Sequence, residues 1–207
     1  MVRNFDGDNF VDRLKSNCRL IEIKEFQSDE IITTLLSKRN QFCILLEGRA
    51  QLLTYDKDGN KKILYYYTKN DVFGEPLFKI YMDRELFVLA KEKCKVLFYP
   101  YDAAENCTED CLYHIEILKN LPDLVFASIA KQNFRMLLLT NKSVRDKLLT
   151  YFQILASENH SKTFELPLSL TDLSDYLMIE RTAMMREIKR LKDEKIIKKN
   201  KNKITLS

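Results

Sequence analysis

The chain has 207 residues, enough for one large domain or two small ones, and its 45% hydrophobic and 31% charged residues are typical of a soluble globular protein. No apolar run approaches the roughly 18 residues that cross a membrane, no secretory signal is predicted, and four glycines are too few for a P-loop or a dinucleotide-binding loop. The net charge of +4 is concentrated in residues 142–207, where 14 Lys/Arg stand against 9 Asp/Glu, which indicates a polyanion-binding tail or, alternatively, a solvated lysine-rich one.

The first 110 residues are predicted to form a β-rich unit. Residues 42–55 are dense in apolar and β-forming side chains and are interrupted at Gly48. The turn that follows has Asp58-Gly59 at its tip, and this pair supplies the positive φ angles that tight hairpins require. Further short strands are predicted at 62–67, 87–90 and 95–99. Short strands separated by turns about every ten residues predict an all-β sandwich or barrel.

Helical patterns begin after Pro100. Residues 103–120 are predicted to be helical, and Pro122 is expected in the first turn of a new helix that continues to about Thr140. This second helix is apolar on two sides. One stripe comprises Val125, Ile129, Met136 and Leu139, interrupted by Gln132, and the other comprises Phe126, Ala130, Phe134 and Leu137. One side is expected to cover the β unit, and the first stripe with Gln132 is assigned to a dimer interface, although a fully buried core helix would explain the same pattern.

A break near residue 141 is predicted to separate two domains. Ser143 can cap a helix over residues 144–157. Residues 159–165 are polar and are expected to form a loop.

Two short helices joined by a tight turn are predicted after residue 168. Ser169 and Asp172 form a capping-box pattern at the start of the first helix. This helix is predicted to direct Leu173, Tyr176 and Leu177 towards the core. The second helix, Arg181 to Asp193, is predicted to bury Met184, Ile188 and Leu191. Because the outer side of this second helix is basic, the pair is typical of a helix-turn-helix, although Met178 occupies the turn, where glycine is usual.

Residues 196–206 are predicted to form a strand, a lysine-rich turn and a second strand, which is the wing of a winged helix-turn-helix. Arginine suits base readout because its guanidinium can bond O6 and N7 of guanine together, and the wing lysines can contact phosphates. The residues predicted to contact DNA are Ser169, Thr171, Arg181, Thr182, Met185, Arg186, Lys189, Lys198, Lys199 and Lys201. A small helical domain with a charged hairpin is the alternative interpretation.

Taken in order, these segments resemble the cyclic-AMP receptor protein/FNR (Crp/Fnr) superfamily of bacterial transcription regulators. The resemblance covers residues 15–207, and its motifs are Phe-Cys-Ile-Leu-Leu-Glu-Gly at 42–48, Asn-Asp-Val-Phe-Gly-Glu at 70–75, the segment 84–96, Ser-Val-Arg-Asp-Lys-Leu at 143–148, and Glu180 to Arg186. In the last motif both family arginines are kept, while Glu180 is expected to be a poorer cap than the usual serine. The resemblance implies an α+β fold with three parts: an N-terminal cyclic-nucleotide-binding-like β-roll (a double-stranded β-helix or jelly roll) over residues 1–120, a long dimerisation helix over 121–141, and a C-terminal winged helix-turn-helix over 142–207.

The resemblance also implies an effector site, formed by Gly74, Glu75, Arg84, Glu85 and Leu139. Glu75 and Arg84 match family residues that hold the ribose and the cyclic phosphate, but Glu85 stands where a serine or threonine donates to that phosphate. Because a carboxylate has the same charge as the phosphate, cyclic AMP is not expected to bind. An unknown small-molecule effector is possible, and no cofactor is predicted.

The five cysteines do not predict a metal site. Only Cys18 precedes residue 43, so the N-terminal cysteine cluster of the family's iron–sulfur members is missing. Cys107, Cys111 and His114 could supply three ligands for a metal or haem on one helix face, but no fourth is visible, and half-buried helix thiols are the preferred explanation. An odd number of scattered cysteines predicts reduced thiols in the cytosol.

Together these features predict a cytoplasmic, homodimeric, sequence-specific DNA-binding transcription regulator. Catalysis is not predicted, because no nucleophile–base pair and no metal set can be found in the sequence. The expected partners are double-stranded DNA, a second copy of the chain and, for an activator, RNA polymerase, with no membrane. The alternative function is an effector-binding or redox-sensing module that acts through protein contacts.

Overall fold

The computed structural model describes residues 20–34, 40–59, 61–74, 85–102 and 112–207, with only the backbone described for 112–118. The chain divides into two compact units, Met1–Lys131 and Gln132–Ser207. Each unit has its own hydrophobic core.

The described part of the first unit contains two four-stranded antiparallel sheets. Their strands are β1 (Glu22–Phe26), β2 (Ile31–Thr34), β3 (Gln41–Glu47), β4 (Ala50–Tyr55), β5 (Lys61–Tyr67), β6 (Val72–Gly74), β7 (Phe87–Ala90) and β8 (Cys94–Pro100). One sheet has the order β1-β8-β3-β6 and the other β2-β7-β4-β5. The β unit predicted from the sequence is confirmed, including the strands expected near 62–67, 87–90 and 95–99.

The core of this β-roll is built from alternate residues of its strands. Ala50 pairs with Tyr67 and Leu52 pairs with Tyr65 across the β4–β5 ladder, and all four side chains are buried. Successive side chains of a strand point to opposite faces, so these residues share the inner face of their sheet. The same core includes residues of the other sheet, namely Cys43, Leu45, Phe73, Val96 and Phe98.

Two glycines of the β-roll occupy positions that no other residue would fit. Gly48 joins β3 to β4 with φ +85, and a Cβ atom there would lie 2.4 Å from the carbonyl oxygen of Lys93. Gly74 ends β6 with φ +132, and a Cβ atom there would lie 2.1 Å from the carbonyl oxygen of Gln41. Since Gly74 also pairs with Phe42 in the β3–β6 ladder, its backbone cannot move away easily, and this packing explains the glycine independently of any effector.

Replacing Gly74 with alanine is therefore expected to destabilise the protein by about 3 kcal/mol or more, through steric overlap added to backbone strain. Gly59→Ala is the matched control, because Gly59 also has a positive φ of +80 but has nothing within 4 Å of an added Cβ. The control should cost about 1–2 kcal/mol. Chemical denaturation followed by circular dichroism measures both values, and equal losses would contradict the steric explanation.

A single long helix, α1 (Leu112–Thr140), follows the β-roll in the described residues, and Pro122 lies inside it. The prediction that a new helix begins at Pro122 is therefore wrong, while residues 103–111 lie outside the described part of the chain. An internal proline costs a helix about 3 kcal/mol, and packing on both sides of it offsets this cost. Leu124 is buried in a core cluster on the β-roll, and Leu121 and Val125 pack against the same cluster.

Polar contacts also attach α1 to the β-roll. The Lys131 ammonium lies 2.6 Å from the carboxylate of Asp71, which is buried, and the Asp71 carboxylate also accepts from the backbone N–H and hydroxyl of Thr68. The Ser128 hydroxyl accepts the backbone N–H of Val72. These contacts satisfy groups that would otherwise be buried without partners.

The second unit contains three more helices and a small sheet. They are α2 (Val144–Glu158), β9 (Thr163–Glu165), α3 (Leu170–Leu177), α4 (Arg181–Asp193), β10 (Ile197–Asn200) and β11 (Lys203–Leu206). The sheet has the order β10-β11-β9. The prediction of a loop over 159–165 is wrong at β9, because Phe164 is buried opposite Ile204 of β11; one apolar residue among polar neighbours gives no visible periodicity.

The core of the second unit confirms the inward faces predicted from the sequence. Leu173 and Leu177 of α3 are fully buried, and Tyr176 is half-buried. The other buried side chains of this core include Leu148, Phe152, Phe164, Met184, Ile188, Leu191, Ile197 and Ile204. Because α4 uses one side for this core, its opposite side is left for solvent or a ligand.

Candidate nucleic-acid interface

The turn between α3 and α4 is made by a methionine in a conformation that usually requires glycine. Met178 caps the end of α3 with φ 51 and ψ 52, and its backbone N–H donates to the carbonyl oxygen of Asp175. The left-handed conformation costs a residue with a side chain about 1–2 kcal/mol. The helix-turn-helix geometry is therefore reached without glycine.

The second helix of the helix-turn-helix, α4, begins at a charged cap. The Glu180 carboxylate accepts the backbone N–H of Thr182 at 2.8 Å and of Ala183 at 2.9 Å. These hydrogen bonds, chiefly those with Thr182, hold the pKa of Glu180 below its usual value. Glu180 therefore caps the helix, because its longer side chain engages two of the helix's free donors and its charge complements the helix dipole.

This cap predicts a pH-dependent contribution to stability. Since folding lowers the pKa of Glu180 from its ordinary 4.5, the carboxylate stabilises the fold above that pH and loses this effect as the pH falls through the folded-state pKa. Glu180→Gln should lower the melting temperature at pH 7, and the difference from the unmodified protein should shrink below about pH 4.5. Melting curves between pH 7 and 3 test this, and a constant difference would contradict it.

The outer side of α4 carries the residues that the sequence assigned to DNA. Arg181, Thr182, Met185, Arg186 and Lys189 are all exposed. At the start of α3, the Ser169 hydroxyl accepts the backbone N–H of Asp172 at 3.1 Å and donates to its carboxylate at 2.8 Å, which confirms the predicted cap. Thr171, in the first turn of the same helix, is exposed.

The wing presents the remaining cations. Lys198 and Lys201 are exposed and Lys199 is half-buried, with its ammonium donating to the carbonyl oxygen of Lys201. The turn at the tip is fixed by Asn202, whose side-chain amide donates to the carbonyl oxygen of Leu166 at 2.6 Å.

A charge network that sequence reasoning missed holds α4 against α2. Arg145 of α2 donates to the carboxylates of Glu187 (3.1 Å) and Glu194, and Arg190 lies 3.4 Å from Glu187. The pKa of the Glu194 carboxyl is lowered, mainly by its hydrogen bond with Arg145. Glu187 is the buried member, so the two guanidinium groups compensate its charge. Glu187, an acidic residue on the inner side of the basic helix α4, was the sequence feature that could have indicated this network.

Two more cations meet the C-terminal end of α3. The guanidinium of Arg135, on α1, donates to the carbonyl oxygen of Tyr176 at 3.2 Å and lies 4.9 Å from the centre of its ring. The ammonium of Lys147, on α2, donates to the carbonyl oxygen of Leu177 at 3.1 Å. Both contacts satisfy helix-end carbonyls and complement the helix dipole, so they fix where the helix-turn-helix begins its turn.

An apolar side of α1 faces solvent. Its large exposed side chains are Phe126, Ile129, Phe134, Met136 and Leu137, and Phe126 is 66% exposed. Of the residues assigned to the dimer interface, Ile129, Gln132 and Met136 are exposed, whereas Val125 packs against the β-roll and Leu139 is half-buried. The exposed side therefore combines parts of both predicted stripes. A stripe with a spacing near 3.5 residues gradually shifts around a helix that has 3.6 residues per turn, so no single stripe stays on one side.

Three of the five proposed effector residues, Gly74, Glu85 and Leu139, lie in the described part of the chain. Gly74 has the packing role given above, and Glu85 is exposed just before β7, with its carbonyl oxygen accepting the Thr54 hydroxyl at 2.9 Å. Glu75 and Arg84 lie outside the described residues, as do the side chains of Cys107, Cys111 and His114. Among the described residues, no group of three or more His, Cys, Asp or Glu could hold a metal ion.

Two family models match the chain, one after the other. Residues 23–111 match the cyclic nucleotide-binding domain, and residues 146–207 match the Crp-like helix-turn-helix domain. The chain belongs to the Crp/Fnr family of transcription regulators. All ten predicted DNA-contact residues lie within the Crp-like domain, whereas the exposed side of α1 lies outside both matched segments.

Solved structures with the Crp/Fnr fold align over nearly the whole chain. CprK complexed with OCPA is 17% identical with a TM-score of 0.70, covering 94% of this chain and 91% of CprK. A cyclic nucleotide-binding domain containing protein from Listeria monocytogenes EGD-e is 18% identical, TM-score 0.70, with 96% of each chain covered. A CooA mutant from Carboxydothermus hydrogenoformans is 16% identical, TM-score 0.68, covering 99% and 94%. These identities show likeness of fold.

No curated protein matches this Crp/Fnr chain in sequence. Within the described residues, none of its helices is both long and apolar enough to cross a membrane.

Proposed function

We propose that the protein is a homodimeric transcription regulator that binds specific DNA sequences in the cytoplasm and is not an enzyme. The observation that carries this function is the two-sided recognition helix. One side of α4 is buried in the core, while the other exposes Arg181, Arg186 and Lys189. An activator would also have RNA polymerase as a partner.

The exposed side of α4 suits the major groove of B-DNA. In helix-turn-helix proteins the N-terminal residues of the recognition helix contact base edges. Arg181 and Arg186 can bond guanine bidentately, and Ser169, Thr171 and the wing lysines can contact phosphates, which fix the protein's register on the duplex.

The apolar side of α1 suits a second copy of the chain. Contiguous exposed apolar residues mark interaction surfaces, and an isologous contact would give the assembly two-fold symmetry. Two recognition helices would then contact half-sites about 34–36 Å apart.

Selection of bound sequences from a random duplex library tests this function. A two-fold palindrome with that spacing is expected, and failure to enrich any sequence would contradict it.

The wing is expected to contribute affinity without sequence preference. Lys198→Ala should weaken binding to all duplexes alike and reduce the slope of log affinity against log salt by roughly one, because one fewer phosphate is neutralised. Lys62→Ala is the control, since Lys62 is an exposed lysine of β5 outside the Crp-like domain. Fluorescence anisotropy at several salt concentrations measures the slopes, and an unchanged slope for Lys198→Ala would remove it from the interface.

Cyclic AMP is not the proposed effector, because Glu85 takes the place of a hydroxyl that donates to the cyclic phosphate in the family. At about 4 Å and an effective dielectric constant near 20, repulsion between the two charges is roughly 4 kcal/mol, or about a thousandfold in affinity. Calorimetry should detect no cyclic AMP or cyclic GMP binding up to about 1 mM, and Glu85→Ser should gain some affinity. Micromolar affinity in the unmodified protein would contradict this role of Glu85.

A further inference from the structure

One apolar side chain interrupts the polar outer side of the recognition helix. All 13 residues of α4 are described, and Met185 is the large apolar residue among them that is exposed, to 41%. Met184, Ile188 and Leu191 are buried and supply the helix's contribution to the core. Met185 is therefore available to a ligand.

Met185 lies in a row with cations. It follows Arg181 by four residues and precedes Lys189 by four, so the three side chains are neighbours on one face of the helix. It is also in the N-terminal half of α4, which helix-turn-helix proteins bring to the base edges. Cations on both sides would attract a duplex and bring the thioether close to the base edges.

The chemistry of the major groove limits what Met185 can contact. Each base pair presents hydrogen-bond donors and acceptors there, and the 5-methyl group of thymine is the apolar group among them. A polar base edge placed against a thioether would lose its hydrogen bonds to water, which is costly. A methionine side chain is flexible and polarisable, so it adapts to a methyl group.

We propose that Met185 is a specificity-determining residue that contacts the 5-methyl group of one thymine in each half-site. The proposal rests on the DNA-binding function proposed above and adds a base identity to it. Arg181, one helical turn earlier, would read a neighbouring base pair, so the row specifies a guanine and a thymine close together.

The test replaces single thymines of the selected operator with deoxyuridine, which removes the methyl group and leaves all base pairing unchanged. In each half-site, replacing one particular thymine should lower the affinity of the unmodified full-length protein about fourfold, which is the effect of one methyl group. Replacing that thymine in both half-sites of the same duplex should lower the affinity about fifteenfold. Met185→Ala should bind the thymine and uracil duplexes equally. Met178→Ala is the matched control, because Met178 is also exposed (57%) but lies in the turn; it should keep the discrimination.

Three results would overturn the proposal in distinguishable ways. Unchanged affinity for every uracil duplex would show that no thymine methyl is read. Equal discrimination by Met185→Ala and the unmodified protein would assign the reading to another residue. Equal affinity of the unmodified protein for operator and random DNA would instead remove the proposed function, and this proposal with it. Circular dichroism of Met185→Ala checks that its fold is unchanged.

Discussion

Ile129→Glu is expected to convert the protein into a monomer and to abolish operator binding. Ile129 lies on the exposed apolar side of α1 and is 45% exposed. In a dimer the new carboxylate would be buried against the partner's apolar side chains without a counter-ion, which costs several kcal/mol. A monomer contacts one half-site, so it loses the gain in affinity, about 100-fold or more, that comes from linking two sites.

Because Ile129 is among the exposed residues of the single chain, the variant should fold. Ile31→Glu is the matched control, since it makes the same substitution at an exposed isoleucine of β2. Light scattering should show a dimer for the unmodified protein and for Ile31→Glu, and a monomer for Ile129→Glu. A dimer that persists in Ile129→Glu would place the interface away from this side of α1.

Arg181→Ala is expected to remove specific binding while leaving the fold intact. Arg181 is the first residue of α4 and is exposed, so truncation leaves no cavity. Loss of one bidentate contact with guanine costs about 1–3 kcal/mol in each half-site, and two half-sites give roughly 30- to 20,000-fold in affinity.

Lys192→Ala is the control for Arg181→Ala, because Lys192 is an exposed cation near the other end of the same helix. It should weaken operator and random DNA alike and only slightly. Arg181→Ala should weaken the operator far more than random DNA. Equal losses on both duplexes would show that Arg181 contacts phosphate and reads no base.

The sequence predicted the helix-turn-helix well because its signals are local. Ser169 lies next to the helix that it caps, and the burial of Met184, Ile188 and Leu191 follows directly from their spacing. The helix Arg181–Asp193 was predicted with its observed bounds. Local capping and periodicity decide such short helices before any tertiary contact is known.

Features that depend on distant residues were not predictable in the same way. Pro122 is tolerated inside α1 because Leu121 and Leu124 pack on the β-roll, and no local pattern reveals that packing. The contacts of Arg135 and Lys147 with the end of α3 join residues 41 and 30 positions apart. The exposed side of α1 combines residues of two predicted stripes. The spacing of apolar residues in the sequence shows that the helix has apolar sides, but it does not show which of them the β-roll covers.

Recognition of a DNA sequence by the second unit can be measured by equilibrium binding. Fluorescence anisotropy of the full-length protein with its selected operator and with a scrambled duplex of equal length, at one fixed salt concentration, gives both dissociation constants. The operator is expected to bind at least about a thousandfold more tightly than the scrambled duplex. Equal affinity for the two duplexes, or no binding to either, would contradict sequence recognition and favour an effector-binding or redox-sensing module that acts through protein contacts.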